Sequence, residues 1–114
     1  MKEIKAIIQP FKLNDVLSAL HKIPNLPAMT VADVRSVDAA HGALAQITKT
    51  RLEIMVPDEL VEPVVKAIET HAHTGNPGDG RVFVINIEDA ILIRSGEHDR
   101  LHPTPLNGQT EGQK

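Results

Sequence analysis

The segment Thr74-Gly75-Asn76-Pro77-Gly78-Asp79-Gly80-Arg81 carries the strongest chemical signal in this 114-residue chain. Three glycines within six residues let backbone amides converge on one concavity, a nest that favours anions, and Arg81 adds a fixed cation at its edge. Phosphate suits such a site. A P-loop or a dinucleotide fingerprint needs a strand before the glycines and a helix after them, whereas here a helical pattern precedes and a strand pattern follows. The same residues also suit a helix C-cap followed by a turn.

Other side chains give weaker signals. The six histidines, at positions 21, 41, 71, 73, 98 and 102, raise the question of a metal. His71 and His73 point about 200° apart on a helix, so they chelate together only where the helix has unwound. His98 and His102 have helical spacing but no helical stripe around them, and His41 lies in a short loop where it could meet a ligand or partner. Surface imidazoles account for all six. Ser18, Ser36 and Ser95 lack a glycine elbow, and Glu59, Glu62, Lys66 and Glu69 read as a solvated helix face, so no catalytic constellation emerges.

These residues need elements to hold them. Ile4 to Ile8 reads as a strand closed by Pro10, and Leu13, Val16, Leu17 and Leu20 form the apolar stripe of a helix that Asn14 or Asp15 can start. Met29 to Val37 is a β-branched strand, the residues from Asp38 to Ala45 read as a loop, and Ile47 to Val56 alternates as a half-buried strand. A second helix begins at Pro57-Asp58-Glu59 with Asp58 as candidate N-cap, and Pro63 predicts a slight kink. Val82 to Ile87 and Ala90 to Ile93 read as two further strands. Residues 1–97 form one domain in this reading, and the polar tail 98–114 is expected to be flexible unless a neighbouring subunit orders it.

A shift of 47 residues lays Ile7, Pro10, Leu13, Asp15 and Leu17 on Ile54, Pro57, Leu60, Glu62 and Val64. Two copies of a strand-helix-strand unit predict an α+β, ferredoxin-like βαββαβ sandwich, with an additional C-terminal strand from Ala90 to Ile93. Its second sheet face is apolar and bare in a monomer, which predicts self-association.

Composition narrows the function. Lys plus Arg number 12 against 15 Asp plus Glu, a net charge of −3, and the only aromatics are two Phe. Neither a phosphate backbone nor stacked bases are matched by such a surface, so nucleic acid is not expected as a partner. The chain has no Cys, which excludes disulfides, thiol catalysis and Cys-based zinc sites. The apolar run at the amino terminus is too short for a signal peptide or a membrane span, and a cytoplasmic location is expected.

Four motifs in order, Ile7-Ile8-Gln9-Pro10-Phe11-Lys12-Leu13, Val56-Pro57-Asp58-Glu59-Leu60-Val61, Gly78-Asp79-Gly80-Arg81-Val82-Phe83-Val84 and Ile93-Arg94-Ser95-Gly96-Glu97, resemble the PII family of nitrogen-regulatory signalling proteins. The resemblance runs from Met1 to about Glu97 and is interrupted between Ser36 and Lys49. It implies a compact homotrimer that is not an enzyme and binds an adenine nucleotide (ATP, ADP or AMP) in clefts between subunits, with the part of Mg²⁺ left open. It also implies a regulated partner: a membrane transporter, an enzyme or a transcription component. By position, Gly78, Asp79, Gly80 and Arg81 match the family's phosphate loop, with Arg in place of the usual Lys. Arg94 matches a phosphate-contacting arginine, and Ile7, Thr30 and Glu53 match residues around the adenine. Gly75 and the run Arg35-Ser36-Val37-Asp38 complete the implied nucleotide site.

The departures predict altered ligand use. Where the family carries Gly-aromatic-Gly-Arg-Gln and a long loop, this chain has Ser36-Val37-Asp38-Ala39-Ala40 and a short link. Ala40 replaces the glutamine that helps to hold the metal ion and 2-oxoglutarate, which argues against the usual sensing of that molecule. Leu92 replaces one of two paired arginines and Asp38 adds negative charge, both disfavouring a triphosphate relative to fewer phosphates. With no Tyr, the chain cannot be switched by nucleotidylation of a loop tyrosine. The alternative function is a trimeric metal-binding protein of similar fold using His41, His71 or His73.

Overall fold

Period-two burial and two apolar helical stripes fix the layers of the computed structural model, which describes residues 1–38 and 44–99. Strand β1 (Lys2–Ile8) leads through a 3₁₀ turn (Pro10–Lys12) into helix α1 (Leu13–His21), then to strands β2 (Thr30–Asp38) and β3 (Ala45–Val56). A second 3₁₀ turn (Asp58–Leu60) leads into helix α2 (Val61–Ala72), and strand β4 (Gly80–Asn86) completes the sheet. The strand order is β2-β3-β1-β4, antiparallel throughout, as the ferredoxin-like expectation requires. Ile4, Ala6, Ile8, Leu52, Ile54 and Val56 alternate onto one face and pack with Val16, Leu20, Val64 and Ile68. Both helices therefore cover the same face. Among the described residues no helix is long and apolar enough to cross a membrane.

The internal repeat is real but one residue longer than the sequence shift. Val16 and Leu20 of α1 correspond to Val64 and Ile68 of α2, and Ile4, Ala6 and Ile8 to Leu52, Ile54 and Val56. Each pair is separated by 48 positions. A 47-residue shift lays half-buried Ile7 on buried Ile54, and a one-residue slip in a strand exchanges the two faces.

Helix starts also differ from expectation for a local reason. Each helix is entered from a 3₁₀ turn, so α1 begins at Leu13, before Asp15, and α2 begins at Val61. Asp58 makes no cap; its carboxylate accepts hydrogen bonds from the Met1 ammonium at 2.8 Å and Lys2 Nζ at 3.2 Å, which hold it below its ordinary pKa. Pro63 becomes the third helical residue, where no backbone N–H bond is lost, so the reason for a kink disappears.

The predicted strand from Ala90 to Ile93 does not join the sheet. The β4–β1 pairing ends with Asn86 opposite Lys2, at the start of β1. The chain instead turns on itself, leaving a single bridge from Ile91 to His98. At the other end β2 and β3 run past the sheet: Ile8 pairs with Thr50, while β3 residues from Ala45 to Lys49 pair with β2 alone. The expected loop from Asp38 to Ala45 thus begins and ends in a strand pair, Asp38 with Ala45, with 39–43 outside the described residues. Most of the tail, 100–114, likewise lies outside them.

Candidate functional site

The glycine loop leaves α2 at His73 and meets the sheet at Gly80. Its first half is closed by its own anion. Asp79 Oδ2 accepts the backbone N–H of Thr74 at 2.8 Å and of Gly75 at 2.9 Å, and the Thr74 hydroxyl donates a short hydrogen bond to Oδ1. The Asn76 N–H donates to Thr74 Oγ1 at 3.1 Å. The amide concavity expected from the glycines is therefore filled around residues 74–76 by the Asp79 carboxylate. These bonds, the Thr74 hydroxyl foremost, hold the Asp79 carboxyl at about 2 against an ordinary 3.8.

A depressed carboxyl stabilises the fold fully above its unfolded pKa and loses that contribution as pH falls through the folded value. In acid titrations the stability gap between the parent and Asp79→Asn should hold constant above about pH 4 and close towards pH 2. A gap that persists unchanged at the acid end would show that the carboxylate is not what closes the loop.

The second half of the loop faces a cation. Gly78, at φ +98°, offers its carbonyl to Lys49 Nζ at 2.5 Å, and a Cβ there would sit 3.3 Å from Gln9 Nε2. Lys49 is only 6% exposed, and among the described residues it forms no ion pair. A buried ammonium held by one neutral carbonyl is under-compensated and attracts an anion. Gly80, at φ +102°, crosses β1 so closely that a Cβ would lie 1.7 Å from the Ile7 carbonyl oxygen.

Register sets the remaining residues in rows across the uncovered sheet face. Arg81, Ile7, Arg51 and Ala32 form one row, and Phe83, Lys5, Glu53 and Thr30 the next. Thr30 Oγ1 donates to Glu53 Oε1 at 3.4 Å, while Lys5 Nζ and Arg51 Nε approach the same carboxylate at 3.8 and 3.5 Å. Among the described residues Arg51 Nε is buried without a hydrogen bond, its approach to Glu53 being an ion pair at 3.5 Å. Glu53 is thus shared by two cations. Arg81 makes no ion pair among the described residues and is left to act outward.

The structure brings Ile7, Gly78, Asp79, Gly80 and Arg81 together at one end of the sheet, with Thr30 and Glu53 in the adjoining row. Gly75 lies in the same loop with its amide engaged by Asp79. Arg35, Ser36 and Val37 stand on the projecting β2–β3 arm, where Arg35 Nη1 donates to Gln46 Oε1 at 3.1 Å; Asp38 ends β2. Arg94 lies in an exposed turn beyond the opposite end of β4. Lys49 and Arg51 were not singled out by sequence reasoning, although their parity with Glu53 places them on the uncovered face. Among the described residues no group of three or more His, Asp or Glu could hold a metal ion, and His41 lies outside them.

The sequence family described as "Nitrogen regulatory protein P-II" matches residues 1–97. The Nitrogen regulatory protein P-II of Haemophilus influenzae is 40% identical over 109 residues, covering 87% of this chain and 96% of the relative. That of Rhodospirillum rubrum is 40% identical over 107 residues, covering 85% and 95%. Nitrogen regulatory protein P-II 1 of Escherichia coli K12 is 38% identical over 109 residues, covering 87% and 96%.

Proposed function

The chain belongs to the P-II family of nitrogen regulatory proteins, and from this we propose that it is a cytoplasmic, non-enzymatic signalling protein that binds an adenine nucleotide and reports that state to a partner protein. The observation that carries the binding reading is Lys49: a buried ammonium against the Gly78 carbonyl, with Arg81 three residues further along the same chain segment and without an ion-pair partner among the described residues. Phosphate placed there meets both cations, and Ile7, Thr30 and Glu53 line the approach for the base.

The binding unit is a homotrimer. The uncovered sheet face carries Phe83, 42% exposed, and Ile85 beside the charged rows, which a neighbouring subunit would cover. Arg94 supports the same reading, because β4 carries the chain about 20 Å from Gly80 to Asn86 before that residue is reached. A glycine loop and an Arg94 at opposite ends of one strand meet most simply at a boundary between two chains. The nucleotide then lies between subunits.

Signalling follows from where Lys49 stands. It is the first β3 residue beyond the Thr50–Ile8 pair, at the base of the arm. A phosphate competes with the Gly78 carbonyl for this ammonium, so occupancy changes the contact that ties arm to loop, and a partner reading the arm distinguishes the two states. The partner is a transporter, an enzyme or a transcription component.

Leu92, in place of a second arginine, leaves fewer cations for a third phosphate. Calorimetry with AMP, ADP and ATP, each with and without Mg²⁺, should give ADP binding at least as tight as ATP binding and little dependence on Mg²⁺. Absence of heat with all six, together with unchanged Arg81 and Arg94 side-chain resonances, would remove the nucleotide from this function.

A further inference from the structure

After β4 the chain forms a small closed hairpin that the sequence did not foretell. Its backbone is tied by Asp99 N–H to the Ala90 carbonyl at 2.7 Å, Leu92 N–H to the Glu97 carbonyl at 2.8 Å and Gly96 N–H to the Leu92 carbonyl at 2.7 Å. At the open end Asp89 joins both strands: Oδ1 accepts the Ala90 N–H at 2.9 Å, and His98 Nδ1 lies 2.8 Å from Oδ2 and 3.0 Å from Oδ1. A carboxylate only accepts, so His98 Nδ1 carries the hydrogen and donates. At the tip, Ile93 is fully exposed and Arg94 follows it with no ion pair among the described residues.

A guanidinium on a loose tail must lose its freedom on binding, whereas one at the tip of a closed hairpin has lost much of it already. We infer that Asp89 and His98 are positioning residues, a side-chain clasp that holds the hairpin shut and presents Arg94 to the nucleotide phosphates. This rests on the nucleotide reading above. The clasp acts on affinity rather than on the core, because the buried cluster contains no residue of this hairpin.

The test is ADP calorimetry on the full chain with His98→Ala, His98→Asn and Arg94→Ala, and with the His98→Ala/Arg94→Ala pair, alongside thermal melting. His98→Ala should weaken ADP about fivefold with little change in melting temperature. His98→Asn, whose side-chain amide nitrogen can take the place of Nδ1, should return to within about twofold of the parent. Arg94→Ala should weaken ADP about tenfold or more, and adding His98→Ala to it should change nothing further, since no guanidinium remains to be placed. If Arg94→Ala weakens ADP and His98→Ala does not, or if the two losses add, the clasp is wrong and the nucleotide site stands. If ADP binds but neither variant matters, the clasp and the role of Arg94 both fall; if the parent gives no ADP heat, the functional reading falls with them.

Discussion

Gly80→Ala should destabilise the fold by about 3 kcal/mol or more and release β4 from β1. The added Cβ would lie 1.7 Å from the Ile7 carbonyl oxygen and 2.8 Å from its carbon. These are backbone atoms of a strand paired on its other side to Arg51, so the clash cannot be relieved by a rotamer. A φ of +102° adds conformational strain for any L side chain. Gly96→Ala is the matched control: its φ is +74° and a Cβ there meets nothing within 4 Å, so only the conformational cost of about 1–2 kcal/mol remains. Urea unfolding of the two variants separates the terms. Equal midpoints would mean that close approach to β1 contributes nothing.

Lys49→Met should leave stability within about 1 kcal/mol of the parent, or raise it, while weakening ADP about 10- to 100-fold. The two effects diverge because the buried ammonium opposes folding and favours the ligand. Among the described residues, desolvation of Lys49 is offset by the neutral Gly78 carbonyl, and Met keeps the volume of the stem without the charge. Gly78 is itself exposed, so water can serve its carbonyl after the substitution. An anion at the loop loses a charge-assisted bond that nothing else replaces. A variant that unfolds more easily yet binds ADP as before would make Lys49 a structural tether only.

The sheet and helices were legible because burial alternates along β1 and β3 and recurs at three and four residues along α1 and α2. The departures from that pattern are local. The 3₁₀ turns at Pro10–Lys12 and Asp58–Leu60 move each helix start away from the best capping residue, and no side chain marks them clearly. The repeat looks one residue short in the sequence because Pro10 and Leu13 fall on Pro57 and Leu60 at a shift of 47, and only burial separates Ile7 from Ile54. The strand expected at Ala90 to Ile93 has the right side chains, but its backbone bonds go to the segment Glu97 to Asp99 that follows it and not to the sheet.

The candidate site divides in the same way. Gly78, Gly80 and Arg81 were visible as residue types at a chosen spacing, and the motifs around them were enough to identify the family. The sequence alone determined the loop's glycines, the strand-helix repeat and the exclusion of thiol and tyrosine chemistry, because each depends on which residues are present. The tertiary structure decided that Asp79 fills the loop's first concavity, that Lys49 faces its second half from a distant strand, and that Arg94 lies beyond the other end of β4. Those outcomes depend on register and strand order, which bring together residues that no local pattern links.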